Sequence, residues 1–233
     1  MPPPTGADVE RQLTLRIGLR DSATFANFLP GDNAAALHLL QQGGEPFIYL
    51  WGAGGSGRSH LLQAACHAVT AGGGSPAYLP LAGLADTGVA MLDGLEQMSL
   101  VCLDDLQAVA GNAAWEEALF HLYNRVRDAG GRLLAAADAS PVTLGIQLAD
   151  LRSRLAWGPV FQLQPLDDAG KLAALQLRAR ARGMDLSEEV GTYLLRRCPR
   201  DMQALFELLE RLDQASLAAQ RRLTIPFVRE LIS

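Results

Sequence analysis

Lysine is almost absent from this 233-residue chain: Lys171 stands alone, and the other nineteen of the twenty basic residues are arginine. Aromatic residues make up only 6%, and there are three cysteines, at positions 66, 102 and 198. These cysteines are far apart in sequence and lie in apolar surroundings, so they read as buried thiols of a reducing compartment and not as a disulfide framework or a zinc site. No apolar run reaches 18 residues, so no membrane span is expected. The opening MPPPTGADVE has neither a basic n-region nor an apolar h-region, and is not expected to act as a secretory signal. Positive charge is also in deficit. The net charge of −5 argues against a protein whose main task is to grip DNA by its phosphates. A cytoplasmic protein is the expectation.

What is abundant is apolar residues, at 49%, in a repeating rhythm. QLTLRIGL alternates like an extended strand, and a turn-rich ATFANFLPGDN leads into a short helix at about 33–42. PFIYLWG, PAYLPL, LVCLDDL, RLLAAAD and VFQLQPL read as five short strands. Between them the spacing predicts helices over SHLLQAACHAVTA, near 88–97, over AAWEEALFHLYNRVRDAGG and over LADLRSRL. Short apolar strands alternating with helices imply a five-stranded parallel sheet covered on both faces, an α/β fold. After Leu166 the strands stop, and helices are expected at about 167–182, 187–197, 200–219 and 225–232. The chain therefore divides into an N-terminal segment (1–22), an α/β base (23–166) and a small all-helical lid (167–233).

Two motifs carry chemistry. GAGGSGRSHLL, at 52–62, fits the phosphate loop G-x-x-x-x-G-K-[ST], except that Arg58 replaces the lysine. A strand enters the loop and a helix leaves it. Backbone N–H groups of Gly54, Gly55, Ser56, Gly57, Arg58, Ser59 and His60 are thereby expected to converge on a nucleotide phosphate at a helix N-terminus. A planar guanidinium is larger than an ammonium, so Arg58 should permit binding, favour a diphosphate and impair turnover. The second motif is LVCLDDL. An apolar strand ending in acid sets Asp104 beside the phosphates, where it would hold Mg²⁺ directly or through water, with Asp105 in the position of a water-activating carboxylate.

Together with TFANFLPGDN, LRSRLAWGPVFQLQPLDDAGKLAALQLRARARG and LTIPFVRELI, these motifs resemble the AAA+ family, in the branch of the bacterial replication initiator DnaA. Within that branch the similarity is to short regulatory homologues that lack the C-terminal DNA-reading domain. The resemblance implies an AAA+ base with a helical lid and bound ADP or ATP with Mg²⁺. It implies that Asp138 is the sensor-1 residue, that Arg200 is the sensor-2 residue, and that Leu29 and Pro30 pack on the adenine. It implies that Arg154 is an arginine finger, reaching out of its own subunit into a neighbour's nucleotide site, with Arg152 pointing elsewhere. It also implies that Gln12, Leu13, Leu15 and Ile17 form a Q-L-x-L-x-L-like motif that plugs into the polymerase sliding clamp; here Arg16 stands where a proline is frequent and Ile17 replaces a leucine.

The function so implied is negative regulation of replication initiation. Clamp-bound, the chain would promote hydrolysis of ATP on DnaA and leave the inactive ADP form. Its partners would be DnaA and the clamp, with DNA reached only through the clamp and no membrane involved; homodimers or higher oligomers remain open. The alternatives are a stand-alone ATPase such as a helicase loader, and an adaptor that drives no hydrolysis.

Overall fold

The computed structural model describes residues 23–199 and 201–232. The alternating segment at 13–19 and the clamp-motif residues Gln12, Leu13, Leu15 and Ile17 lie outside them, as does Arg200.

Five strands form one parallel sheet: β1 (Phe47–Trp51), β2 (Pro76–Pro80), β3 (Leu100–Asp104), β4 (Arg132–Ala137) and the short β5 (Val160–Gln162). The spatial order is β2-β3-β4-β1-β5, so β1 is flanked by strands that come much later in the chain. Helices α1 (Ala34–Gln42), α2 (Arg58–Ala71), α3 (Ala113–Asp128) and α4 (Ala149–Leu155) complete the base. Strand alternation explains why both faces need cover. In β1, Tyr49 belongs to the apolar cluster with α3 and α4, while Ile48 and Leu50 belong to the one with α1 and α2. In β3, Val101 and Leu103 face the first cluster and Leu100 and Cys102 the second. The cysteines 66 and 102, distant in sequence, meet here: the Cys66 thiol donates to Cys102 Sγ at 3.5 Å, and both are free and buried.

The helix expected near 88–97 is absent. The chain from Leu81 to Gln97 runs instead through four short 3-10 turns. Glycines at 83, 88 and 94 interrupt it every five or six residues, and Gly88 and Gly94 take φ of 88° and 80°, which no α-helix accommodates.

A separate apolar cluster holds α5 (Asp168–Ala181), α6 (Glu188–Arg197), α7 (Met202–Ala219) and α8 (Ile225–Ile232) together through Leu175, Leu194, Leu209, Leu212 and Val228. Capping residues mark the helix starts: the side chains of Asp167, Ser187 and Asp201 accept from backbone N–H groups of the first turns of α5, α6 and α7. Among the described residues, no helix is long and apolar enough to cross a membrane.

Candidate nucleotide site

Where β1 ends and α2 begins, the glycine loop borders a cleft of about 390 Å³ between base and lid. The loop depends on the small residue at its end. Gly57, the N-cap of α2, has φ of 96°, and a β-carbon there would stand 2.6 Å from Phe28 Cε2. A side chain at 57 would therefore be strained by its backbone and would displace the ring that walls the cleft.

Two buried polar atoms at the loop have no partner among the described residues: Ser56 Oγ and Arg58 Nη1. Unsatisfied buried donors are costly, and an anion at the head of α2 would satisfy both. The other side of Arg58 faces Asp105, with Nη2 4.0 Å from Oδ1. Asp105 is one of two non-glycine residues with positive φ among the described residues, at 57°, and its carboxylate also accepts from Gln107 Nε2 at 2.9 Å. Aspartate tolerates this left-handed conformation better than most residues, and the strain is held at the cleft edge.

Asp104 is buried at the end of β3. It accepts from the Tyr78 hydroxyl at 2.7 Å and from the Asp105 N–H at 3.0 Å, and Ser59 is a third donor. Burial pushes its carboxyl upward, and the Ser59 and Tyr78 hydrogen bonds oppose that push. Ser59 and Asp104 thus place a hydroxyl and a carboxylate side by side at the cleft. This hard-oxygen pair fits Mg²⁺ held by the hydroxyl, with the carboxylate orienting its water.

The opposite wall is apolar. Phe28, Leu29 and Leu166 from the base and Ala174, Met202 and Phe206 from the lid line it together, a pairing suited to a flat nucleobase. Arg178 of α5 stacks over the Phe206 ring at 4.5 Å and lies 3.6 Å from Glu210. Asn33 is buried and exchanges two hydrogen bonds with the backbone of Gln164, which ties the segment before α1 to the strand-to-lid connection.

His60 is mostly buried against Phe28, and its Nε2 lies 2.9 Å from the Thr24 carbonyl, to which the neutral ring donates. Burial lowers its pKa, with the Thr24 bond opposing and Arg178 adding to the shift. The folded state therefore resists protonation that the unfolded chain accepts. Stability is fully present above the ordinary value of about 6.5 and falls as pH drops below it. We expect the melting temperature to fall by a few degrees between about pH 7.5 and 5.5, and to fall less in His60→Gln, measured by calorimetry.

Of the residues expected from sequence, Gly55, Ser56, Gly57, Arg58, Ser59, His60, Asp104 and Leu29 line this cleft; Gly54 and Pro30 adjoin lining residues without lining it. Asp138 is exposed just past β4, its N–H bonded to Gln107 Oε1 at 3.2 Å, and is outside the lining. The sequence reading missed Phe28, Tyr78, Arg178 and Asp201. An alternating strand hides which tyrosine meets the next strand's acid.

Arg154 lies elsewhere. It is on α4, on the sheet face opposite α2, beside a small cavity lined by Phe47, Tyr49, Tyr123 and Leu133. That cavity borders the beginning of β1, whereas the glycine loop leaves its end, about 13 Å further along the strand. Among the described residues Arg154 has no ion pair. Its guanidinium sits over the rings of Trp157, at 4.9 Å, and Tyr123, at 5.9 Å. Arg152 is exposed and donates to the Ile146 carbonyl at 3.4 Å.

Comparison with known proteins bears on both halves of the chain. A family model described as the bacterial DnaA ATPase domain matches residues 86–162, and one described as the Hda lid domain matches 168–232. Domain III of Thermotoga maritima DnaA superposes with a TM-score of 0.76 at 22% identity, over 90% of this chain and 95% of that one. AMPPCP-bound DnaA from Aquifex aeolicus gives 0.71 at 23% identity, over 85% and 67%. A Thermotoga maritima RuvB variant gives 0.63 at 15%, over 86% and 66%. At these identities the structural likeness establishes the fold. With one family model on the base and another on the lid, the chain is an AAA+ protein of the DnaA branch that resembles Hda.

Proposed function

We propose that this protein binds a nucleotide in the base–lid cleft and uses Arg154 in trans to promote hydrolysis of ATP bound to DnaA, leaving the inactive ADP form. Docking on the sliding clamp through Gln12, Leu13, Leu15 and Ile17 would bring the two proteins together on DNA in the cytoplasm. Clamp and DnaA on one DNA raise each other's effective concentration, so a weak peptide contact suffices. In its own cleft, ADP would place its phosphates on Ser56 Oγ, Arg58 and the backbone N–H groups of 54–60. Leu29 and Pro30 would wall the adenine, and Asp138 and Arg200 would sense phosphate. Ser59 and Asp104 would hold Mg²⁺, which, when bound, neutralises phosphate charge. In this reading the unit 23–166 supplies the phosphate loop and the finger, while 167–233 closes over the nucleotide.

The observation that carries this reading is the position of Arg154. It stands on the sheet face and at the strand end away from its own glycine loop, partly exposed, with no carboxylate paired to it among the described residues. Its own cleft cannot be what it serves, whereas a neighbour's can. Arg58 supports the same division of labour: a guanidinium leaning toward Asp105 replaces the point charge that a hydrolytic loop uses between β- and γ-phosphates.

We therefore expect the isolated protein to bind ADP with Mg²⁺ by calorimetry and to turn over ATP negligibly. Robust turnover lost in Asp104→Ala would instead favour a stand-alone ATPase.

A further inference from the structure

The C-terminal end of α4 is built around a stack of rings. Phe47 and Tyr123 lie face to face, with centroids 4.1 Å apart and planes 22° apart. The Arg154 guanidinium follows, with its Cζ over the Trp157 ring at 4.9 Å and over the Tyr123 ring at 5.9 Å. Tyr123 is 2% exposed, so the inner wall is fixed by the core. Trp157 is 63% exposed, an unusual position for a large aromatic side chain in a chain that has few.

Its backbone is nevertheless held firmly. The Trp157 N–H donates to the Arg154 carbonyl at 3.2 Å. The next residue, Gly158, packs so closely on β1 that a β-carbon would fall 2.1 Å from the Phe47 carbonyl oxygen. The tight turn thus brings the indole back over the residue three positions earlier. Burial does not explain that placement, because the ring gains little of it. The ring's contact with the guanidinium does.

We propose that Trp157 is a positioning residue for Arg154: with Tyr123 it clamps the guanidinium plane, so that the cation meets the phosphates of a neighbouring AAA+ subunit already oriented. The proposal rests on the trans role of Arg154 and adds the device that aims it. Stacking is a good clamp here for a physical reason. A carboxylate would hold the guanidinium more tightly but would neutralise it and occupy the N–H edge that must face phosphate. A π-face holds the plane and leaves all five donors free. Holding a reacting group in place before encounter removes part of the ordering cost from the rate-determining step.

The test is stimulated hydrolysis of ATP bound to DnaA, measured against concentration of this protein on clamp-loaded DNA, for the parent, Trp157→Ala, Trp157→Phe, Arg154→Ala and the double alanine variant. Trp157→Ala should lower the limiting rate constant by about tenfold, the size of a lost cation–π contact, with the half-saturating concentration unchanged. Trp157→Phe should recover most of the rate, and Trp157→Ala should add nothing once Arg154 is alanine. A raised half-saturating concentration with an unchanged limiting rate would make Trp157 a partner contact and overturn the positioning role. Full activity of Trp157→Ala beside an inactive Arg154→Ala would overturn it while leaving the finger standing. Full activity of Arg154→Ala would remove both.

Discussion

Arg154→Ala is expected to keep the fold, ADP binding and clamp binding, and to lose stimulation of hydrolysis on DnaA by roughly 10³–10⁵, or about 4–7 kcal/mol at the transition state. The fold should survive because Arg154 is partly exposed and makes no ion pair among the described residues. Losing such a surface arginine usually changes stability by less than about 0.5 kcal/mol, and losing its stacking on Trp157 and Tyr123 adds about 1 kcal/mol, well short of unfolding the protein. The catalytic loss should be large because a finger meets charge that develops only as the γ-phosphoryl group leaves. Lysine at 154 should rescue poorly, since it has a single ammonium where the guanidinium spans two phosphate oxygens. Arg152→Ala is the internal control. It is exposed, points to the Ile146 carbonyl and should stimulate as the parent does. Single-turnover hydrolysis of radiolabelled ATP on DnaA distinguishes these outcomes directly.

Glu116→Ala should be the most damaging single change to stability, at about 3–5 kcal/mol, and should lower the melting temperature by roughly 8–15 °C. Glu116 is 1% exposed. Its carboxylate accepts from the N–H of Gly111 at 2.7 Å, of Gln147 at 2.9 and 3.1 Å, and of Leu148 at 2.7 Å. Alanine would leave three backbone donors facing a dry hole, and each orphan costs about 1–3 kcal/mol. Glutamine keeps the shape but turns an NH₂ toward another donor, so it should recover only part of the loss. The functional consequence follows from position. Gln147 and Leu148 lead directly into α4, so the carboxylate fixes the helix that carries Arg154 onto α3. A partially stable Glu116→Gln protein should therefore stimulate hydrolysis less per folded molecule, as measured after correcting for the folded fraction by circular dichroism.

Much of this architecture is written in short-range pattern. The strand β3 is a run of five buried residues ending in acid, and no helix could hide all five faces of Leu100–Asp104 without a far longer apolar stretch. The lid helices announce themselves by caps: Asp167, Ser187 and Asp201 each stand one residue before a helical spacing begins. The segment 88–97 misled because its apolar spacing suits a helix, while the glycines at 88 and 94, which decide the backbone, interrupt that spacing without erasing it.

The cleft was half legible. Backbone donors around a phosphate are local, so a contiguous loop specifies them. The other wall comes from Phe28, Tyr78, Arg178 and Phe206, which meet only after four segments have packed. Glu116 stands in sequence as one of two adjacent acids, beside Glu117. The clue was its spacing, because Glu116, Leu119 and Tyr123 at i, i+3 and i+7 share the buried stripe of α3. Trp157 gave no periodic signal, since it follows the helix by two residues and turns back through Gly158.

The central claim is that the hydrolysis this protein promotes occurs in a neighbour's site and not in its own. The most direct measurement is the rate of ATP hydrolysis on DnaA, with DnaA carrying the only ATP, in the presence and absence of this protein and of clamp-loaded DNA. The account predicts ADP-bound DnaA forming rapidly only when both are present. An unchanged rate with both present, beside ATP turnover by this protein alone, would contradict it.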